Sequence, residues 1–207
     1  MRKFKMYNKH GAINLSGAFN FISSNSNYIL FISLFIAGLI CGAAIINAYS
    51  AEGLIASVVD AFVPGRQNIW RTFINSVALS VALELICFCA GLCCVGFPIS
   101  CMLPLFKGVY YGIIAAYLFP TNEMQGLLIY MLTVLPGATL SVSAMLVACN
   151  YSAYMSKALA ANVFMNSREE VNVKHFALAH LLILAIFIAA ALIDVLCVKL
   201  FQNIINL

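Results

Sequence analysis

Two residues of opposite charge lie inside long apolar stretches of this sequence, where they are the clearest candidates for chemistry. Lys107 lies near the middle of residues 97–119, and Glu84 lies within residues 70–95. A charged side chain at the bilayer centre costs about 2.5 to 3.5 kcal/mol on insertion scales. It therefore needs a partner, a water-filled cavity or a route to the interface.

The positions of these two charges relative to Gly96 predict that they are neighbours. Glu84 precedes Gly96 by twelve residues, and Lys107 follows it by eleven. On two antiparallel helices joined near Gly96, both side chains would lie about 16 to 18 Å from the turn. We therefore expect a Glu84–Lys107 pair, which either fixes the register of the two helices or serves as a proton or ion site.

The composition indicates what kind of element positions these charges. Of the 207 residues, 64% are hydrophobic and 9% are charged, and the mean hydropathy is +1.00. Soluble domains carry about 25% charged residues. Five stretches are long enough to cross a bilayer as helices, namely residues 28–48, 70–95, 97–119, 124–148 and 176–200. We expect an all-α polytopic integral membrane protein with about five transmembrane helices and a tight hairpin between spans two and three.

Charge in the connections predicts domain organisation and orientation. We divide the chain into a basic N-terminal segment (1–27), a five-span membrane domain (28–200) and a short tail (201–207). One side of the membrane would hold seven cationic residues: Arg2, Lys3, Lys5, Lys9, Lys157, Arg168 and Lys174. The other side would hold three, Arg66, Arg71 and Lys199. The positive-inside rule then places the N-terminus in the cytoplasm and the C-terminus outside.

A cleaved signal peptide is the alternative interpretation of the first span. Ala48-Tyr49-Ser50 offers small residues at a cleavage position. However, the apolar run begins only at Tyr28 and is about twenty residues long, which is late and long for a signal peptide. We expect an uncleaved first span.

Two connecting segments have patterns of their own. Residues 51–63 have apolar side chains at helical spacing, which predicts an amphipathic helix that lies on the outer leaflet or serves as a docking surface. Residues 151–163 predict that the fourth helix continues beyond the membrane, before a polar break at residues 166–170.

Small residues and prolines predict how the helices pack. Gly38 and Gly42 in span one, and Gly108 and Gly112 in span three, are spaced four apart, which allows close helix contact within one chain or between copies in a homo-oligomer. Pro136, midway along span four, predicts a kink or local unwinding. Interrupted helices are typical of transporter sites but also occur without any ligand.

Motifs for enzymatic chemistry are missing from the sequence. The eight cysteines fall inside or beside apolar spans, as expected of small packing residues. His10, His175 and His180 are placed near the cytoplasmic face, while Asp194 and Lys199 are placed near the outer end of span five. No hydrolase, phosphate-loop or dinucleotide motif occurs. We expect no enzyme activity, catalytic residue, metal or cofactor, and no nucleic-acid binding; the lipid bilayer is the expected surrounding.

One succession of motifs resembles a known family. Residues 91–98, GLCCVGFP, are followed by residues 105–112, LFKGVYYG, and then by Val134-Leu135-Pro136. This resembles the stage II sporulation protein M family, which has five spans, the same hairpin Gly-x-Pro and the same Phe-Lys-Gly-x-x-x-Gly. The resemblance covers about residues 28–200. Its motif residues here are Gly96, Pro98, Phe106, Lys107, Gly108 and Gly112.

The resemblance implies a structural role in the bacterial cell membrane, at the sporulation septum. Family members anchor an engulfment complex with two peptidoglycan-degrading partners, the stage II sporulation proteins D and P, and perform no hydrolysis themselves. Lys107, Gly108 and Gly112 would hold the fold or an assembly face, and residues 51–63 could meet a partner. Glu84 is not part of the family pattern.

Two functions remain open from the sequence. The first is a membrane scaffold for wall remodelling and engulfment, which rests on the resemblance. The alternative is the membrane subunit of a transporter or exporter, which rests on the midplane charge and the helix interrupted at Pro136. An intramembrane enzyme would require a reactive pair or a metal cluster that the sequence lacks.

Overall fold

The computed structural model describes residues 26–48, 69–164 and 172–205. Three expectations lie outside these residues. They concern the basic N-terminal residues, the amphipathic segment 51–63 and the polar break at residues 166–170.

Five long helices make up the described chain: α1 (Ser26–Ala48), α2 (Ile69–Gly91), α3 (Gly96–Ile129), α4 (Leu135–Phe164) and α5 (Val173–Ile205). Four segments are long and apolar enough to cross a membrane, Ser26–Ile46, Gly96–Leu118, Tyr130–Phe164 and Val173–Leu200. The apolar part of α2 is shorter, Ser76–Gly91. The described residues contain no strand. The all-α polytopic fold class is thus confirmed.

The helix ends differ in places from the expected spans. Helical backbone continues through α3 to Ile129, ten residues past the expected end of span three. The fourth helix does extend to Phe164, as its apolar pattern predicted. Most of the expected C-terminal tail is helical too, because α5 ends at Ile205.

A tight hairpin joins α2 to α3, but its turn lies earlier than predicted. Residues 92–95 form the turn, and α3 already begins at Gly96. Pro98 lies in the first helical turn, where a missing N–H costs nothing. The backbone N–H groups of Gly96 and Phe97 donate to Ser156 Oγ of α4, at 3.0 and 3.1 Å. Ser156 therefore caps α3 from a neighbouring helix.

The two glycine pairs bring α1 and α3 into backbone contact. A Cβ added to Gly38 or Gly42 would overlap the carbonyl oxygen of Leu105 or Val109. In the reverse direction, a Cβ on Gly108 or Gly112 would overlap a carbonyl oxygen of α1. The predicted close contact is confirmed, and it forms within one chain.

The predicted irregularity at Pro136 is also present. A π-helical turn, Tyr130–Val134, immediately precedes α4, and Pro136 is the second residue of that helix. Proline removes one backbone donor and crowds the preceding turn, which explains why the regular helix is interrupted here.

The core is formed mainly by α2 to α5, with Phe31 of α1 also buried in it, and α4 lies at its centre. Half of the apolar window of α4 is buried, compared with 17% for α1. The helix α4 contacts all four others, whereas α1 packs mainly on α3. Cys87 and Cys149 are fully buried in the apolar core with Phe31 and Phe187. All eight cysteines are free thiols.

Candidate functional site

Glu84 and Lys107 are both inside the bundle, but the expected pair between them is wrong. Their relative exposures are 2% and 1%. Glu84 contacts His180 of α5, and Lys107 contacts Ser80 of α2. Within the described residues, one acidic and one basic side chain lie closer than 4 Å to each other, those of Glu84 and His180.

Depth along the helices explains this exchange of partners. Glu84 lies seven residues before the end of α2, whereas Lys107 lies eleven residues after the start of α3. The two therefore differ by about 6 Å in depth. Ser80, eleven residues before the end of α2, matches Lys107, and His180, seven residues after the start of α5, matches Glu84. The sequence count erred because the turn itself takes up residues 92–95.

The first polar cluster links α2, α4 and α5. His180 Nδ1 lies 2.6 Å from Glu84 Oε1, and His180 Nε2 lies 3.3 Å from Ser152 Oγ. Ser152 in turn donates to the carbonyl oxygen of Cys87 at 2.7 Å. All three side chains of this cluster are buried. Phe88 and Phe176 enclose the imidazole, with ring centroids 5.5 and 4.4 Å away.

A carboxyl, an imidazole and a serine hydroxyl in this order also occur in hydrolase active sites, so the proton positions matter. In a nucleophilic site the serine donates to the imidazole. Here Ser152 Oγ donates to the Cys87 carbonyl oxygen at 2.7 Å and lies farther from His180 Nε2, at 3.3 Å, so the carbonyl competes with the imidazole for its one proton. This arrangement joins three helices, although Glu84 Oε2 stays buried without a hydrogen-bond partner.

The second polar cluster surrounds Lys107. Its ammonium donates to Ser80 Oγ at 3.2 Å and lies 4.4 Å from the centre of the Phe187 ring. Ser80 Oγ lies 3.5 Å from Ser141 Oγ of α4. A hydrogen bond and a cation–π contact thus accommodate a lysine that would otherwise be isolated among apolar side chains.

Asp194 belongs to the same cluster, which corrects its expected place near the interface. It is 6% exposed and lines a small cavity together with Lys107. A Cβ on Gly137 would overlap Asp194 Oδ1. Gly137 follows Pro136 directly. The carboxyl of Asp194 on α5 therefore packs against α4 at the place where the regular helix is interrupted.

The remaining predicted residues lie away from the two clusters. Phe106 is 58% exposed and Pro98 is also exposed, so both face the surroundings of the bundle. Gly96 lies against the carbonyl group of Ala90 in the hairpin. Gly108 and Gly112 lie at the contact with α1.

His180 and Asp194, like Ser80, Ser152 and Ser156, have roles that the sequence analysis missed. A signal for the first two exists, because His180, Phe187 and Asp194 recur every seven residues and share one face of α5. Ser76, Ser80 and Glu84 likewise recur every four residues on α2. A polar stripe on an otherwise apolar helix indicates an interior face.

The arrangement offers hydrogen bonding and charge compensation rather than ligand coordination. In the part of the chain that the structure describes, no group of three or more His, Cys, Asp or Glu side chains could hold a metal ion.

Comparison with known proteins gives one match. The family model described as Stage II sporulation protein M matches residues 31–197, which extend from α1 to α5. No curated protein and no solved structure matches the chain significantly.

Proposed function

Since the chain belongs to the stage II sporulation protein M family, we propose that it is a non-enzymatic membrane scaffold for septal wall remodelling and forespore engulfment. The observation that carries this proposal is the family match, which includes all five helices and the hairpin with its glycine contacts. In this role the chain organises peptidoglycan-degrading partners and leaves hydrolysis to them.

Its partners are, by family resemblance, the stage II sporulation proteins D and P. Its place is the bacterial cytoplasmic membrane, at the sporulation septum. The N-terminus faces the cytoplasm and the C-terminus faces outward, because the cationic residues concentrate on one side.

The interior of the bundle supports a structural role. Glu84, His180 and Ser152 bond to one another across three helices, and Lys107 bonds across a further helix pair. Buried polar bonds of this kind hold helices in one arrangement within a membrane. Ser152 donates to the Cys87 carbonyl oxygen, a bond that a nucleophilic serine would have to give up.

Transport is the second candidate, and the buried charges of Lys107 and Asp194 favour it. Transporter sites commonly combine midplane charges with an interrupted helix, as at Pro136. The cavity between these charges, however, offers only about 10 Å³ to a water-sized sphere. That volume suits one water molecule and no larger solute, so we place transport second.

Deletion of the gene in its own host, followed by membrane-dye microscopy through starvation, tests the scaffold role. We expect a division septum that forms but then bulges or stalls, with engulfment restored by the wild-type gene. Affinity capture of a tagged chain from sporulating cells should recover proteins D and P. Normal engulfment in the deletion strain would contradict the proposed scaffold role.

A charge-neutral variant separates the scaffold from transport. Lys107→Met combined with Asp194→Leu removes both buried charges together and so leaves neither unpaired. At equal amounts of protein in the membrane, a scaffold should still support engulfment. Loss of engulfment at wild-type protein level would instead favour transport.

A further inference from the structure

A small cavity lies between α2, α3, α4 and α5. It is lined by Ser76 of α2, Lys107 and Tyr110 of α3, Ser141 of α4 and Asp194 of α5. Its walls are completed by Leu79, Ser80, Tyr111, Phe187 and two alanines. Four helices thus contribute polar groups to one space.

Two polar atoms at this cavity have no hydrogen-bond partner, Tyr110 Oη and Asp194 Oδ1, while Ser76 interacts with the carboxyl of Asp194. Asp194 is 94% buried, since its relative exposure is 6%. Leaving a buried polar group unsatisfied costs about 1 to 3 kcal/mol, and more for a charged group. Two such atoms, on α3 and α5, that face one cavity therefore indicate a shared polar occupant.

We propose that this cavity is a binding site for a single water molecule, which links Lys107 to Asp194. The space open to a water-sized sphere, about 10 Å³, is close to the least that holds one water. The water accepts hydrogen bonds from Lys107 Nζ and Tyr110 Oη and donates one to Asp194 Oδ1. Lys107 Nζ has donors to spare for it, because Ser80 takes one of three.

The bound water makes one hydrogen-bonded network of groups on α2, α3 and α5. Asp194 reaches this network because Gly137 leaves room for its carboxyl at the start of α4. Lys107 then has three stabilising contacts: Ser80, the Phe187 ring and the water.

Radiolytic hydroxyl labelling of the whole chain in lipid nanodiscs detects the water directly, because hydroxyl radicals are short-lived and modify side chains beside the water that forms them. Phe187 and Phe31 form a matched pair, since both are phenylalanines with 1% and 0% exposure. Only Phe187 lines the cavity. We expect Phe187 to be labelled several-fold faster than Phe31. Equal labelling of the two rings would mean a dry cavity and would overturn the proposal.

A cavity-filling variant provides the second comparison. Ala191 lines the cavity and is 2% exposed. Ala191→Val adds two methyl groups there, so Phe187 labelling should fall to the Phe31 level. Unchanged Phe187 labelling in this variant would show that the water lies elsewhere.

Thermodynamic coupling gives an independent readout. Lys107→Met and Asp194→Leu should each lower the free energy of unfolding. The double variant should lower it by less than the sum of the two single effects. Lys199→Met, an exposed lysine on α5, is the matched control and should have little effect. Additive losses would contradict a water that joins the two side chains.

Discussion

His180 Nδ1 and Glu84 Oε1 lie 2.6 Å apart, although the two residues are separated by 96 positions in the chain. Each lies seven residues from the end of its helix nearest the 92–95 turn. The contact joins α2 to α5, the last described helix, and thereby closes the bundle. It also gives an acidic residue inside the membrane the partner that it needs.

Replacement of His180 by leucine should destabilise the protein strongly. Glu84 would keep a buried carboxyl without its partner, and breaking a buried pair on one side costs about 3 to 5 kcal/mol. SDS titration of the purified protein in mixed micelles measures the loss in unfolding free energy. His175→Leu is the matched control, because His175 is exposed on the same helix. Equal effects of the two variants would show that the His180 contact contributes nothing.

Replacement of Gly38 by leucine should separate α1 from α3. The new side chain would meet the backbone of Leu105, which cannot move aside as a flexible side chain can. Overpacking in well-packed interiors costs about 1 to 3 kcal/mol, and backbone overlap should exceed that range. Protein level in membranes and the SDS midpoint should both fall.

Ala37→Leu is the control for this contact. Ala37 precedes Gly38 directly but is exposed, so its leucine would face outward. We expect wild-type protein level and stability for this variant. A Gly38→Leu variant as stable as Ala37→Leu would contradict the close contact.

Ser156→Ala should weaken the start of α3. The hydroxyl accepts from the N–H groups of Gly96 and Phe97 and donates to the Cys93 carbonyl. Removing it leaves the part-buried N–H of Phe97 without this acceptor, whereas the Gly96 N–H and the Cys93 carbonyl still bond to each other; an unsatisfied buried group costs about 1 to 3 kcal/mol. Ser143→Ala on the same helix should be nearly neutral, because that exposed hydroxyl bonds only to the Thr139 carbonyl. A drop in the SDS midpoint that is confined to Ser156→Ala would support the cap.

Reporter fusions test the orientation. Alkaline phosphatase folds only outside the cytoplasm, so its fusion after Leu207 should be active and a fluorescent protein there should be dark. The same two reporters placed at the N-terminus should behave in the opposite way. A bright fluorescent fusion after Leu207 would reverse the orientation or change the number of spans.

Local patterns were sufficient to predict much of this architecture. The glycines of α1 and α3, the α2–α3 hairpin and the interruption at Pro136 each follow from residues close together in sequence. Contacts between distant helices were not predictable in this way. Glu84 was paired with Lys107 because α3 is the next helix along the chain, whereas its partner lies on α5. Sequence spacing gives the depth of a residue only when the turn is placed correctly, and it does not say which helices are neighbours.

The position of Asp194 in the second cluster was likewise not predictable from the sequence. Its position near the end of span five suggested contact with the interface. The carboxyl is instead buried against Gly137, because the start of α4 is interrupted and has no side chain at that point. The glycine and the aspartate are 57 positions apart, so neither residue alone indicates the other.

The separation of Glu84 from His180 also has a consequence for synthesis at the ribosome. At about 5 to 20 residues per second, the 96 positions between them take about 5 to 20 seconds to translate. During that interval α2 carries an acidic residue whose partner has not yet been made. We therefore expect α2 to stay in contact with the insertion machinery until α5 is inserted. The bundle is complete only after α5, the last described helix, has entered the membrane.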